Sequence, residues 1–226
     1  MSESDLVPAE LSKLLGLFVH DLRNPAATLG ANIDFLREVG VEDPDAKEAV
    51  DDMVLALEDL KRGLTQLAWI ARWIGGQPAV ALEPGDLCRL LPPLMGGQPG
   101  IEATLDLGGL ASAPVPGAPA VAKMVELLLA NAKHHLRRGV ASVTLRQAEG
   151  GLVLEFVDGG VAIAEELRGD VFTLGGQGRV KSRPDGRYGR FAGLLALRVL
   201  ADAIGARLEA TGQDGAATVR IHLAGG

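Results

Sequence analysis

His20 is followed directly by Asp21 and, four residues on, by Asn24. Imidazole is largely neutral at cellular pH, so its free ring nitrogen is available as a nucleophile. A carboxylate beside it can orient the ring and accept its proton. On a helix His20 and Asn24 share one face, where the amide can hold an attacking water. Pro25 has no N–H to give the carbonyl of Asp21, and its ring crowds that carbonyl. A helix kink opening the chain beside the nucleophile is therefore expected.

Two further polar groups interrupt apolar runs in the C-terminal half. Asn131 sits within the Leu-rich segment Glu126–His135, and Asp158 closes the run Leu152–Val157 and is followed by Gly159 and Gly160. Taken alone, the first reads as a buried helix with a polar edge and the second as a turn after a strand.

The elements that must position these groups are legible from periodicity. Leu11, Leu15, Phe18, Leu22, Pro25, Leu29, Asn32 and Leu36 recur four and three apart, a helix with a bundle-type seam. His20 falls outside that seam and is expected to be exposed. Gly40 to Asp45 supplies turn residues, and a second stripe runs through Met53, Leu57, Leu60, Leu64, Leu67, Ala71 and Ile74. The two segments form an antiparallel hairpin. Two helices alone cannot hide both stripes, so a homodimer with a four-helix bundle is expected, with packing of the hairpin on its own C-terminal region as the alternative.

Gly75, Gly76, Pro78, Pro84 and Gly85 mark a linker, which divides the chain into a helical region, 1–79, and a second domain, 80–226. The second domain carries strand-like runs at Ile101–Leu107, Val140–Arg146, Leu152–Val157, Arg207–Ala210 and Ala217–Leu223. Helical runs at Ala120–Leu136 and Phe191–Ile204 alternate with them, which predicts an α/β sandwich and an α+β fold for the whole chain. The stretches Gly108–Pro119 and Gly175–Gly189 read as loops, the second long enough to be a lid.

Composition narrows the function. A hydrophobic fraction of 47% with 23% charged residues is that of a folded chain, outside the disordered class. A net charge of −7 disfavours nucleic acid as a partner. The single cysteine, Cys88, excludes an internal disulfide and a cysteine-based zinc site, and no metal centre is expected. No apolar run reaches the roughly 20 residues of a membrane span, and the first residues lack a secretory pattern, so a cytoplasmic location is expected.

The string Phe18-Val-His-Asp-Leu-Arg-Asn-Pro25 resembles the phosphoacceptor box of bacterial histidine kinases, and the resemblance extends to the hairpin around it. It implies that His20 is phosphorylated, that Asp21 assists as a base, and that Asn24 helps dephosphorylate a partner receiver domain. Glu126–His135 resembles the N-box of the kinase ATP-binding domain, the fold shared with gyrase and Hsp90, and Asn131 matches its magnesium ligand. Phe156–Ile163 resembles the strand ending in Asp-x-Gly-x-Gly, in which Asp158 accepts from the adenine amino group and Gly160 lets backbone approach the base.

Departures from the family pattern accumulate after the hairpin. Glu126 stands where Asn is usual, His134 where Lys or Arg is usual, and Ala162 replaces the second glycine of the box. Asp170-Val-Phe-Thr173 holds the place of the F-box. Gly189–Leu194 holds that of the final glycine-rich box, with Phe191 where a phosphate cradle needs no bulk. Asn131, Asp158 and Gly160 thus mark a candidate vestigial nucleotide site.

The function implied is a histidine phosphotransfer protein of a two-component phosphorelay, which exchanges phosphate between His20 and receiver aspartates. Phosphatase action on the receiver is a further implied activity. Its partners are a second copy, a response-regulator receiver and an upstream hybrid kinase. No cofactor is expected, Mg-ATP being required only if the nucleotide site still works. The alternatives are an active soluble histidine kinase and a non-catalytic receiver-docking dimer.

Overall fold

A computed structural model describes residues 3–80, 82–96, 101–110, 114–135, 139–159, 162–181, 192–213 and 216–224. The chain divides into two compact units, Met1–Ala79 and Val80–Gly226.

The first unit is a hairpin of α1 (Glu3–Val39) and α2 (Pro44–Ile74). Gly40 turns the chain at φ 76°, a backbone conformation that costs glycine least. The Asp43 carboxylate then accepts from the Ala46 N–H at 3.0 Å and Pro44 opens α2, two features that start a helix at a defined residue. At the open end the Ser12 hydroxyl donates to the Ala71 carbonyl at 2.6 Å, tying α1 to the last turns of α2.

The faces that meet inside the hairpin differ from the seam read along α1. Val19, Ala26 and Ile33, spaced by sevens, are buried, and Ala26 and Ile33 form one cluster with Val50, Leu57 and Leu64. Phe18, Leu22, Leu29 and Leu36, one residue away or less than a turn round the helix, stay exposed, as do Met53 and Leu60 on α2. Small residues explain the choice: Ala26 and Gly30 let α2 approach closely, and a Cβ on Gly30 would stand 3.3 Å from Leu57 Cδ2. The bulky side chains are left on the adjoining side.

The second unit opens with β1 (Gly85–Asp86), α3 (Leu87–Leu90), α4 (Pro92–Met95), β2 (Ile101–Asp106) and β3 (Pro114–Val115). It continues with α5 (Ala118–His135), β4 (Gly139–Ala148), β5 (Gly151–Asp158), α6 (Glu165–Arg168) and α7 (Leu174–Lys181). α8 (Gly193–Ala203), β6 (Arg207–Gln213) and β7 (Ala216–Ala224) complete it. Five strands form one sheet in the order β2-β4-β5-β7-β6, parallel only between β2 and β4, and β1 pairs with β3.

Period-two alternation sorts the side chains of the sheet. Leu154, Phe156, Val219 and Ile221 are buried on the helix-covered face with Met124, Leu128, Leu197 and Leu200 of α5 and α8. Each such side chain contributes roughly 1.5–3 kcal/mol by leaving water. The opposite face carries cross-strand charge pairs. Arg220 donates from Nε to Glu155 at 2.5 Å, and Glu209 stands 3.6 Å from Arg220 and 3.0 Å from His222. The hydrogen bond that Arg220 donates to Glu155 holds the guanidinium above its ordinary pKa against the opposing effect of burial.

One expected loop is partly helical. Gly175–Lys181 belongs to α7, although three glycines disfavour a helix by about 1 kcal/mol each relative to alanine. Local partners offset that cost. The Thr173 hydroxyl donates to the Asp170 carbonyl at 2.7 Å and accepts from the Gly176 N–H at 3.0 Å, while Arg179 pairs with the Asp170 carboxylate. Among the described residues no helix is long and apolar enough to cross a membrane.

Candidate functional site

α1 runs through Pro25 without a break, and it carries His20, Asp21 and Asn24 in the exposed state. The side chains of His20 and Asp21 are 75% and 73% exposed, with Nδ1 of the imidazole 3.2 Å from the Asp21 carboxylate. A proton on Nδ1 donated to Asp21 leaves the lone pair on Nε2. Asn24 follows one turn later on the same side. Thr28 donates its hydroxyl to the Asn24 carbonyl at 3.2 Å, a back-bond the sequence reading missed.

The buried residues next to this set explain its exposure. Val19 and Ala26 point into the hairpin, so His20 and Asn24 turn toward the side of α1 away from Phe18, Leu22 and Leu29. The apolar stripe and the side that carries His20 and Asn24 therefore occupy different sides of one helix. A groove of about 510 Å³ lies along the hairpin, between Arg23 and Ala27 of α1 and Lys61 and Thr65 of α2.

In the second unit, topology gathers the other singled-out residues at one end of the sheet. Asp158 is the last residue of β5, paired with Ala141 of β4 and Ala217 of β7, and the Gly159 N–H donates to the Val140 carbonyl at 3.1 Å. α5 leads into β4 at that end and brings Asn131 there. α8 runs toward the start of β6, so its N-terminus lies at the Asp158 end as well. Asp158 is fully buried and Asn131 is 8% exposed, its amide nitrogen lacking a hydrogen-bond partner among the described residues. A buried amide without a partner is costly, and it is the kind of group a ligand satisfies.

The neighbouring departures from the family pattern also have definite places. The Glu126 carboxylate takes the Lys123 ammonium at 2.5 Å, an i,i+3 pair on the surface of α5. The methyl of Ala162 lies against Gly212 of β6, where a Cβ on Gly212 would stand only 2.7 Å from it. Arg168 holds this arrangement by donating Nε to the Ile163 carbonyl and a terminal nitrogen to the Gly212 carbonyl, both at 3.0 Å. The Ala162 methyl is thus received by a glycine of β6. Val171 and Phe172 of the F-box position are buried. Gly160 and Phe191 lie outside the described residues, as does the side chain of His134.

Mg-ATP is the ligand that the resemblance of Glu126–His135 and Phe156–Ile163 implies. Asp158 and Asn131 fit its base and its metal in chemical type, and the unpartnered Asn131 amide is compatible with a ligand at that end of the sheet. Among the described residues no cluster of three or more His, Cys, Asp or Glu could hold a metal ion, so Asn131 would have to share the metal with the nucleotide's own phosphates.

No family model and no curated protein matches the sequence. Solved structures do match. Full-length ShkA in complex with AMPPNP aligns with a TM-score of 0.65 and 18% identity over 95% of this chain. This chain spans 46% of ShkA, less than half its length. The Acinetobacter baumannii histidine kinase AdeS aligns with a TM-score of 0.57 and 18% identity, covering 91% of this chain and 97% of that one. The catalytic domain of the histidine kinase ThkA aligns at 0.52 and 14% identity, over 64% of this chain and 97% of that one. With a helical hairpin followed by a mixed five-stranded sheet under two helices, the chain is histidine-kinase-like in fold.

Proposed function

We propose that the chain is a histidine phosphotransfer protein of a two-component phosphorelay, with His20 as phosphoryl carrier. The observation that carries this reading is the solvent-exposed imidazole whose Nδ1 faces Asp21 at 3.2 Å, with Asn24 one turn away. The Nε2 lone pair attacks the phosphorus of a receiver's aspartyl phosphate. A P–N bond forms as the P–O bond breaks, and the electron pair leaves with the receiver's carboxylate. The proton stays on Nδ1, and Asp21 offsets the positive charge the ring acquires. The reverse step delivers the group to the aspartate of a second receiver, and an upstream hybrid kinase supplies the first. Asn24 holds a water against the receiver's phosphoryl group, which adds phosphatase activity.

The active unit is a homodimer. Phe18, Leu22 and Leu29 on α1 and Met53 and Leu60 on α2 leave an apolar side on the hairpin, and a second copy covers it by forming a four-helix bundle. The two units then act as a dimerisation and phosphoacceptor domain and as a kinase-like domain.

The buried Asn131 and Asp158 favour a second reading, an active soluble kinase. Bound Mg-ATP would supply a γ-phosphoryl group, with Asp158 on the base and Asn131 on the metal. We place this second because one charged hydrogen bond contributes about 1.5–3 kcal/mol, whereas triphosphate affinity depends on several donors and a cation, for which Glu126 and Phe191 are unsuited.

One experiment separates the readings: incubation with radiolabelled Mg-ATP, followed in a second sample by a labelled phospho-receiver. Label on His20 from the receiver alone is the expected result. Label from ATP favours the kinase, and label from neither leaves the docking dimer.

A further inference from the structure

At the end of the sheet opposite Asp158, strand register lays two unlike rows across the face that the helices leave open. Ala148 pairs with Gly151 and Gly151 with Ala224, so three adjoining strands carry side chains no larger than a methyl group. One row nearer the middle, Val153 pairs with His222 and His222 with Arg207. Side chains two residues apart on a strand share a face, so the bulky row stands as a wall along the small one. The step leaves a cavity of about 330 Å³, lined by both rows and by Glu149 of the β4–β5 turn. That volume falls in the range of small-ligand pockets, roughly 300–1,000 Å³.

The charged groups around the cavity are unequally satisfied. Glu209 stands 3.0 Å from His222 Nε2 and 3.6 Å from Arg220, and Arg220 also donates to Glu155. The carboxylates that β5 and β6 place on this face are therefore both engaged. Arg207 is exposed and has no carboxylate within 4.0 Å among the described residues. A guanidinium left free in this way can take a carboxylate through two parallel N–H···O bonds. The apolar surface beside it, Val153 and the small row, suits a short hydrocarbon body. Glu149 at the rim and Glu209 beside His222 repel a second negative charge, which favours a monoanion over phosphate.

We propose that this cavity is a binding site for a small monocarboxylate, held by the Arg207 guanidinium with its short apolar body along Ala148, Gly151 and Val153. His222 lines the wall, so its ring reports occupancy. The site is separate from both sites already described: it lies in the other unit from His20, and the length of β5 puts Gly151 about 23 Å from Asp158.

The test is a titration of the full chain, carrying ¹³C-labelled histidine, with sodium butyrate at constant pH and ionic strength. The His222 ring signals, assigned with His222→Gln, are followed by NMR. They are expected to move along a saturable curve. Arg207→Gln is expected to weaken binding by at least about fivefold, and Arg207→Lys, which keeps the charge and loses the fork, by less. Ala148→Leu, which fills the floor and leaves every charge in place, is expected to abolish saturation while the thermal midpoint stays within about 3 °C of wild type. A shift that remains linear in butyrate would overturn the site. So would an affinity unchanged in Arg207→Gln, which removes the carboxylate contact, or in Ala148→Leu, which places the ligand outside the cavity. Inorganic phosphate that saturates the same signals more tightly than butyrate would overturn the assignment to a monocarboxylate.

Discussion

The polar groups of the two units differ most in burial. His20, Asp21 and Asn24 stand in solvent on one helix, whereas Asn131 and Asp158 are enclosed at the end of a sheet. A nucleophile that reacts with a group held by another protein has to project, because the partner brings its own walls to the reaction. Groups that bind a small ligand are enclosed, since burial strengthens each hydrogen bond they make. The hairpin thus presents its polar groups to solvent, and the sheet end encloses them. The cores match this division: the second unit buries Phe156 and many leucines, while the hairpin buries one thin row and leaves an apolar side open.

The largest expected effect tests the reactive side. His20→Ala is expected to reduce label from a phospho-receiver to background while the mass measured by light scattering stays that of the dimer, because the imidazole lies away from both apolar faces. A variant that still accumulates label at the wild-type rate moves the nucleophile elsewhere.

The two apolar faces of α1 are expected to respond differently to the same charge. Ile33→Asp buries a carboxylate inside the hairpin and is expected to cost on the order of 4 kcal/mol, read as lost helicity by circular dichroism. Leu29→Asp, on the exposed stripe, is expected to keep the helicity and yield a monomer. If Leu29→Asp remains a dimer across micromolar concentrations, the bundle assignment fails.

At the enclosed end, Gly212→Ala is expected to cost about 1–3 kcal/mol by forcing a methyl against Ala162, measured by urea denaturation. Adding Ala162→Gly is expected to return most of that stability, and a purely additive pair would contradict the contact. The smallest effect on transfer belongs to Asn24→Ala. Phosphate should leave the receiver more slowly while His20 is labelled at nearly the wild-type rate, and an equal loss of both would make Asn24 part of the transfer step.

Much of this protein is local and therefore legible in one dimension. Strand positions, the turn at Gly40 and the division after Ala79 follow from side-chain period and from glycine and proline, which act on the residues beside them. The exposure of His20 follows likewise from its angle to the apolar stripe. Which of two neighbouring stripes meets α2 does not. Phe18, Leu22 and Leu29 are the more hydrophobic set, yet Val19, Ala26 and Ile33 face inward because small residues permit a closer helix pair. The helix at Leu174–Lys181 is similarly hidden, since its glycines are overruled by a threonine cap and an ion pair that exist only once the chain has folded there. The seat of the Ala162 methyl on Gly212 joins residues 50 positions apart in the chain, and the placement of Asn131 and Asp158 toward one sheet end depends on strand order. Residue type and period act through near neighbours, while close approach, burial and strand order are properties of the packed chain.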